Sequence, residues 1–332
     1  MSNRRDFLRK TFIGAAAVAV PGTFTNDAQA SDLVNRKVFK PLPLSCLSYS
    51  FHGLVGEGMM DIFHYFETCR FRYSLDAADL WNGMFASTDD AYINKVHRAL
   101  EERQLVVPNI AADGAHLISS PAQDTPEDRV RLRTIQDAYL KICKKLGVGF
   151  LRLDAGPIPG GEVTNNIREP WKAADFDYLV KRYRELAQYA YDNGFKVGAE
   201  NHMGHEKWWP NLEKLIKAVD HPGFGICIHF GGWTVNSPET REEDNDAAEK
   251  AAVKYACHTH FPWDTCESPK LPEKMALLRD AGYKGYYSAE HHSAQNEYNL
   301  TGVQLSKIKA VLTSWNNGGT GDLIPVRQPR SR

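Results

Sequence analysis

Lys196-Val-Gly-Ala-Glu-Asn-His202 is a brief apolar run that reaches its first acidic residue at Glu200, and three later stretches repeat its form. Gly225-Ile-Cys-Ile-His229 ends on His229, Tyr255-Ala-Cys-His-Thr-His260 on His260, and Gly285-Tyr-Tyr-Ser-Ala-Glu290 on Glu290. The intervals between these polar ends are 29, 31 and 30 residues, the length of one strand, one helix and their loops. Runs this short and this apolar read as parallel strands buried on both faces.

Four earlier runs have the same character: Leu44 to Ser50, Ser74 to Leu80, Leu105 to Ile110 and Gly149 to Asp154. Amphipathic segments lie between the runs. Thr125-Pro126-Glu127-Asp128 has the form of a helix cap with proline in the first turn, and Gly147 closes the helix it opens. Further helices are predicted from Phe176 to Asp192, Asn211 to Val219, Ala247 to Lys254, Pro272 to Ala281 and Val303 to Trp315. Eight strand–helix units predict a closed, single-domain (β/α)8 barrel over residues 44–315, and 332 residues suit one such domain. No Gly-x-Gly-x-x-Gly follows an early strand, so a dinucleotide fold has no support.

The ends of the chain read differently. Arg4-Arg5 precedes Phe7-Leu8, an apolar run extends from Phe12 to Val20, and Ala28-Gln29-Ala30 supplies small residues for cleavage. That order is a secretory leader, too short in its apolar part to span a bilayer. The arginine pair resembles a twin-arginine signal, which predicts export to the periplasm after folding. Residues 31–43 would be a lead-in, and 316–332, rich in Gly, Pro and Arg, a flexible tail. The formal charge of -1 opposes nucleic-acid binding. No stable membrane anchor is expected, and an oligomer is compatible with the sequence. The cysteines at 46, 69, 143, 227, 257 and 266 form no C-x-x-C pair, and Cys227 and Cys257 read as small buried hydrophobes.

Active sites of such barrels lie at the carboxyl ends of the strands. Glu200, His229, His260 and Glu290 are therefore the expected ligands of one divalent metal ion, two carboxylates and two imidazoles that leave positions open for substrate. His258 shares a strand face with His260 and is its rival. His52, Arg152, Asp154, His202 and His205 also fall near the expected mouth, as substrate-binding candidates. Trp233, with Trp81, Trp208, Trp209 and Trp263, lies in the loops beyond the strands, where indoles stack on sugar faces.

These residues carry a resemblance. Glu-Asn-His at 200–202, His-x-His at 258–260 with Asp264 soon after, and Ala-Glu-His at 289–291 resemble the sugar phosphate isomerase/epimerase family, the xylose isomerase-like TIM barrels. The resemblance extends from about Leu44 to Trp315. It implies a metal held by Glu, Asp, His and Glu from strands five to eight, with Glu200 and Glu290 as both ligands and proton carriers. His229 stands where that pattern has Asp. The exchange removes one negative charge, which favours zinc, cobalt or manganese over magnesium.

The expected function is metal-assisted proton abstraction next to a sugar carbonyl, as in isomerases and epimerases. Export points to a non-phosphorylated sugar. A 3-keto-glycoside lyase or hydrolase, which releases the aglycone, is the alternative. An apurinic-site endonuclease would need further ligands from strands two and three, which end in Asp79-Leu80-Trp81 and Pro108-Asn109-Ile110 without histidine. A sugar-binding barrel without turnover is the remaining class.

Overall fold

The computed structural model describes residues 41–119, 124–156 and 165–322. The expected leader at 1–30 and residues 323–332 of the expected tail lie outside the described residues. The described residues from Leu42 onward form one compact unit.

Eight strands form the framework: β1 (Leu44–Cys46), β2 (Leu80–Trp81), β3 (Asn109–Ala111), β4 (Phe150–Arg152), β5 (Lys196–Glu200), β6 (Phe224–His229), β7 (Ala256–Pro262) and β8 (Tyr287–Glu290). All pairs are parallel, in the order β1-β8-β7-β6-β5-β4-β3-β2. The two ends of that order meet through one bridge, Leu47 to Asp79. Ser48 N donates to Asp79 O at 2.9 Å, and Trp81 N donates to Ser48 Oγ at 2.8 Å. The Tyr65 hydroxyl lies against the carbonyls of both Cys46 and Asp79. The ring is closed partly by side chains at this seam. The expected (β/α)8 barrel is the observed fold.

The helices are α1 (His52–Gly56), α2 (Ile62–Glu67), α3 (Asp90–Arg103), α4 (Pro126–Leu146), α5 (Ala173–Asp192), α6 (Trp209–Val219), α7 (Arg241–Ala252), α8 (Trp263–Glu267), α9 (Leu271–Asp280) and α10 (Glu297–Asn316). In α4 the Thr125 side chain accepts from Asp128 N, and Gly147 ends the helix at φ 66°, where a side chain would be strained. In α5, Leu179, Tyr183, Leu186 and Ala190 make a buried stripe at helical spacing.

Strands five to eight match expectation closely, whereas the earlier ones are shorter. The first stops at Cys46 because Ser48 and Ser50 turn their hydroxyls to backbone amides: Ser48 takes Trp81 N, and Ser50 takes His291 N at 2.9 Å. In the second, Ser74 sits at φ 56°, off the extended region, and Ala77 makes only an isolated bridge to Val106 before the ladder starts at Leu80. Helix α3 was not anticipated, and α7 and α10 begin six residues before their expected starts. Glu297, in the first turn of α10, accepts from Gly53 N at 2.7 Å and Leu54 N at 3.0 Å, an anchor invisible to periodicity.

Candidate active site

The strand ends deliver a chain of carboxylates and imidazoles. Two glycines help to set its width: Gly198 of β5 faces Gly225 of β6 in register, and a Cβ on Gly198 would fall 1.7 Å from the Gly225 carbonyl oxygen. Two residues on, Glu200 places Oε1 2.7 Å from His260 Nδ1. Its other oxygen lies 3.0 Å from Arg152 Nε. Beyond His260, Glu290 Oε2 is 3.7 Å from the same Nδ1 and 3.3 Å from His229 Nε2. His292 closes the row, with Nε2 3.4 Å from His229 Nε2 and 3.5 Å from Glu290 Oε1.

The middle residue of Glu-Asn-His is structural. Asn201 donates to His229 O at 2.8 Å and accepts from His229 N at 2.7 Å. This two-point clamp fixes the backbone of His229 against the end of β5.

Below the mouth is a buried floor. Asp79 accepts from Ser288 Oγ at 2.6 Å and Asn109 Nδ2 at 2.9 Å, and its Oδ2 is 2.5 Å from His258 Nε2. His258 pairs with this floor, while His260 reaches both glutamates. His260 stands at the glutamates, and both histidines share a second donor group with Asp79. Asp79 lies 3.6 Å from His260 Nε2 as well and supports it from beneath.

Electrostatics hold the carboxylates charged. Burial would raise the Glu200 carboxyl, but His260 and Arg152 outweigh it and bring it well below the usual range. Glu290 is likewise buried, yet His260, His229 and His292 pull it well below normal. Burial opposes charge on His260, but the carboxylates of Glu200 and Glu290 raise its pKa well above the ordinary value. Arg152 serves three acids at once: its Nη1 is 2.7 Å from Asp154 Oδ2 and from Asp113 Oδ1. His202 Nδ1 stands 3.1 Å from Asp154 Oδ2. Burial disfavours its charged form, and Asp154 overcomes that to raise its pKa.

The remaining expected residues divide. His52 is at the rim, stacked on Tyr49 with ring centroids 4.4 Å apart and Nδ1 2.9 Å from the Tyr49 carbonyl. His205 packs edge-on to Trp171 at 5.5 Å and joins none of the carboxylate contacts above. Trp233 corrects its expectation: at 3% exposure it belongs to the core and packs edge-on to Trp209. An indole so enclosed by protein has no face for a sugar. Trp81 remains partly exposed and ties its Nε1 to Asp113 at 2.7 Å.

Four members escaped the sequence reading: Asp79, Asp113, Cys227 and His292. Cys227, expected as an inert hydrophobe, puts Sγ 3.5 Å from His260 Nδ1 and 3.6 Å from Glu200 Oε1. Burial and the Glu200 charge push its pKa up, so it is held as a thiol. Strand alternation offered one signal, since Cys227 shares a face with His229.

The donors fall into compact groups whose atoms all lie within 4.8 Å of one another. Glu200, Cys227 and His260 make one, and His229, Glu290 and His292 another. The four expected ligands are therefore contiguous but do not form one tight cluster. Glu290 Oε2 and His260 Nε2 are buried without a hydrogen-bond partner. Orphaned donor atoms of this type fit a borderline divalent cation. A hollow lined by Lys196, Cys257 and Tyr283 lies at the amino ends of the strands, away from this chemistry.

Among the described residues no helix is long and apolar enough to cross a membrane. No curated protein matches the chain in sequence. Among solved structures, 3-keto-D-glucoside 4-epimerase YcjR from E. coli has a TM-score of 0.60 at 17% identity, over 75% of this chain and 94% of its own. D-psicose 3-epimerase with D-tagatose from Clostridium cellulolyticum H10 has a TM-score of 0.60 at 16% identity, over 80% and 96%. A xylose isomerase-like TIM barrel protein from Mycobacterium smegmatis in complex with magnesium gives 0.56 at 14%, over 80% and 98%. Likeness at these identities shows a shared fold. The profile of the xylose isomerase-like TIM barrel family matches residues 63–310, and with that match spanning most of the barrel, the chain belongs to this family.

Proposed function

We propose that the chain is a divalent-metal-dependent enzyme of sugar isomerase/epimerase type, which takes the proton from the carbon next to a sugar carbonyl. The observation that carries this reading is the pair of buried, ionised carboxylates, Glu200 and Glu290, on either side of His260. Abstraction of a proton from carbon needs a base shielded from water, and return of that proton needs a second group near the same carbon. Glu290 is the freer base, because its Oε2 has no aligned donor. Glu200 is held by His260 and Arg152 and is placed to carry the second proton transfer. Asp154 and His202, paired beside Arg152, are placed to accept and donate hydrogen bonds to sugar hydroxyls.

Glu200, His260, Glu290 and His229 would hold the divalent ion, which when bound polarises the carbonyl and offsets the charge left by the departing proton. The imidazole-rich set favours manganese, zinc or cobalt over magnesium. Two neighbours in fold are named as a 3-keto-D-glucoside 4-epimerase and a D-psicose 3-epimerase, which supports a small sugar as partner. The leader-like sequence at 1–30 supports export to the periplasm, where a non-phosphorylated substrate is the natural match.

A second reading is favoured by the neighbour named for a 3-keto-D-glucoside. With a ketone at C3, loss of the C2 proton makes the C1–O bond to the aglycone labile. The same two carboxylates would then serve a lyase, with the proton from C2 returned to the leaving oxygen.

The test is isotope exchange. Metal-loaded protein is supplied in deuterium oxide with a panel of free ketoses and 3-keto-glycosides. Carbon-bound deuterium at one position, abolished by chelation, is the expected result. Release of free aglycone identifies the lyase. Absence of both with every sugar sinks the reading.

A further inference from the structure

We propose that Gln304 is a positioning residue for Glu290: together with Ser50 it grips the peptide between Glu290 and His291 and keeps the Glu290 carboxylate aimed into the mouth. The inference rests on the reading of Glu290 as a base.

At the end of β8, side chains take over from the strand ladders. The pairing of β1 with β8 reaches Cys46 and Ala289, and Leu47 N donates to Ala289 O at 2.9 Å. On the other flank Pro262 stands opposite Glu290 in register and has no N–H to give. Gln304 Nε2 supplies a donor there and bonds Glu290 O at 2.8 Å. Ser50 Oγ accepts from His291 N, the other polar atom of the same peptide, at 2.9 Å. Gln304 Nε2 also donates to Phe261 O at 3.1 Å, one residue past His260. A single amide nitrogen thus joins the ends of β7 and β8, the strands that carry His260 and Glu290.

This hold differs in kind from the one on Glu200, whose own carboxylate is bonded by His260 and Arg152. Donors placed on a carboxylate favour its charged form and weaken it as a base. A grip on the main chain directs the Glu290 side chain and still leaves its Oε2 without an aligned donor. Asn201 acts on the backbone of His229 in the same manner.

The burial of Gln304 points the same way. The residue is fully enclosed on α10, and its Oε1 has no hydrogen-bond partner among the described residues. An orphaned amide oxygen is a cost that an apolar side chain of similar size would avoid. Packing alone does not call for glutamine at this point, whereas two carbonyl acceptors do. Helix α10 is itself anchored in its first turn, where Glu297 accepts from Gly53 N and Leu54 N. The amide therefore sits on a fixed support.

The experiment compares three single variants of the full-length, metal-loaded protein and one double variant. Gln304→Met keeps much of the side-chain volume without the donor, and Ser50→Ala frees the other end of the peptide. Thr301→Val, one turn earlier on the buried face of α10, alters a hydroxyl that has no partner among the described residues. Deuterium incorporation is followed against sugar concentration, with the free ketose or 3-keto-glycoside that the wild type labels fastest. Misplacing a reacting group by about 1 Å can cost about 10²-fold, so kcat is expected to fall about 10–100-fold in Gln304→Met and less in Ser50→Ala. KM should stay within about twofold, the pattern of a contribution made only in the transition state. Thr301→Val should match the wild type. The double variant should lose less than the product of the two single losses, because either release frees the same peptide. An unchanged kcat in Gln304→Met, a rise in KM that accounts for the loss, or losses that simply multiply overturns the inference and leaves the proposed function standing. If Gln304→Met does not fold, Ser50→Ala decides, and an unchanged kcat there overturns it as well. A wild type inert towards every sugar sinks the function and this inference with it.

Discussion

Glu200 Oε1 lies 2.7 Å from Nδ1 of His260, a full ångström closer than Glu290 Oε2, which is 3.7 Å from the same nitrogen. One carboxylate is therefore engaged and the other has an oxygen to spare. Glu290→Gln removes the freer of the two proposed bases and is expected to slow isotope exchange by about 10²–10⁴-fold while the protein stays folded. Glu200→Gln is expected to slow exchange and also to lower metal content, because it disturbs His260 and Arg152 together. Unchanged exchange and metal content in both variants would remove the site assignment.

Arg152 is the common counter-charge of Glu200, Asp154 and Asp113. Arg152→Met keeps most of the stem but leaves three carboxylates facing one another. The expected loss is about 3–5 kcal/mol of stability, the cost of stranding buried charge. Urea unfolding of metal-free protein measures it. A loss below about 1 kcal/mol would place these groups in far better contact with water than their burial implies.

Glu206 is fully buried, and its Oε2 accepts from Ala155 N at 2.8 Å. Burial, with the nearby Asp154 charge, raises its pKa well above the ordinary glutamate value. The sign follows directly. Above the ordinary glutamate range the unfolded chain releases a proton that the folded chain keeps, so this residue lowers stability as pH rises. Glu206→Gln copies the protonated acid. Its melting temperature, compared with the wild type, is expected to improve steadily from pH 5 to pH 8. A constant difference across that range would contradict the assignment.

Tyr65→Phe removes the hydroxyl that lies against Cys46 O and Asp79 O at the seam. The two carbonyls lose the one buried donor they share, an expected cost of about 1–3 kcal/mol. The midpoint of urea unfolding should fall at unchanged slope.

Much of this fold was legible from residue patterns alone. Strands five to eight are continuous buried runs that finish on a polar residue, so their ends could be placed to within two residues. The early strands were not legible to that degree. Ser48 and Ser50 look like strand residues until their hydroxyls are seen to serve Trp81 N and His291 N. Glu200, His229, His260 and Glu290 could be named because each lies where its strand opens to the mouth.

The partners of those four residues were hidden for physical reasons. Asp79 acts through His258, which is 179 residues away along the chain, and no periodicity carries information over that distance. His258 and His260 share one face of β7, so alternation cannot separate them; only depth in the barrel does. Trp233 misled because an indole suits a sugar platform and a core equally well, and the contact with Trp209 decides between them. His292 lies past the end of β8, where the chain direction after Glu290 is set by loop contacts such as that of His291 N with Ser50.

The seam between β1 and β2 has a further consequence, in time rather than in energy. Elsewhere the ring is held by two- to four-residue ladders, but here one bridge and a few side chains complete it. Amides protected by so few bonds exchange with solvent through small local openings, ahead of those that wait for a larger unfolding event. Ser48 N and Trp81 N should exchange sooner than the amides of Ile226 to Ile228, which lie within the β5–β6–β7 ladders. The barrel then has a fixed place at which it first comes apart, opposite the strands that carry most of its chemistry.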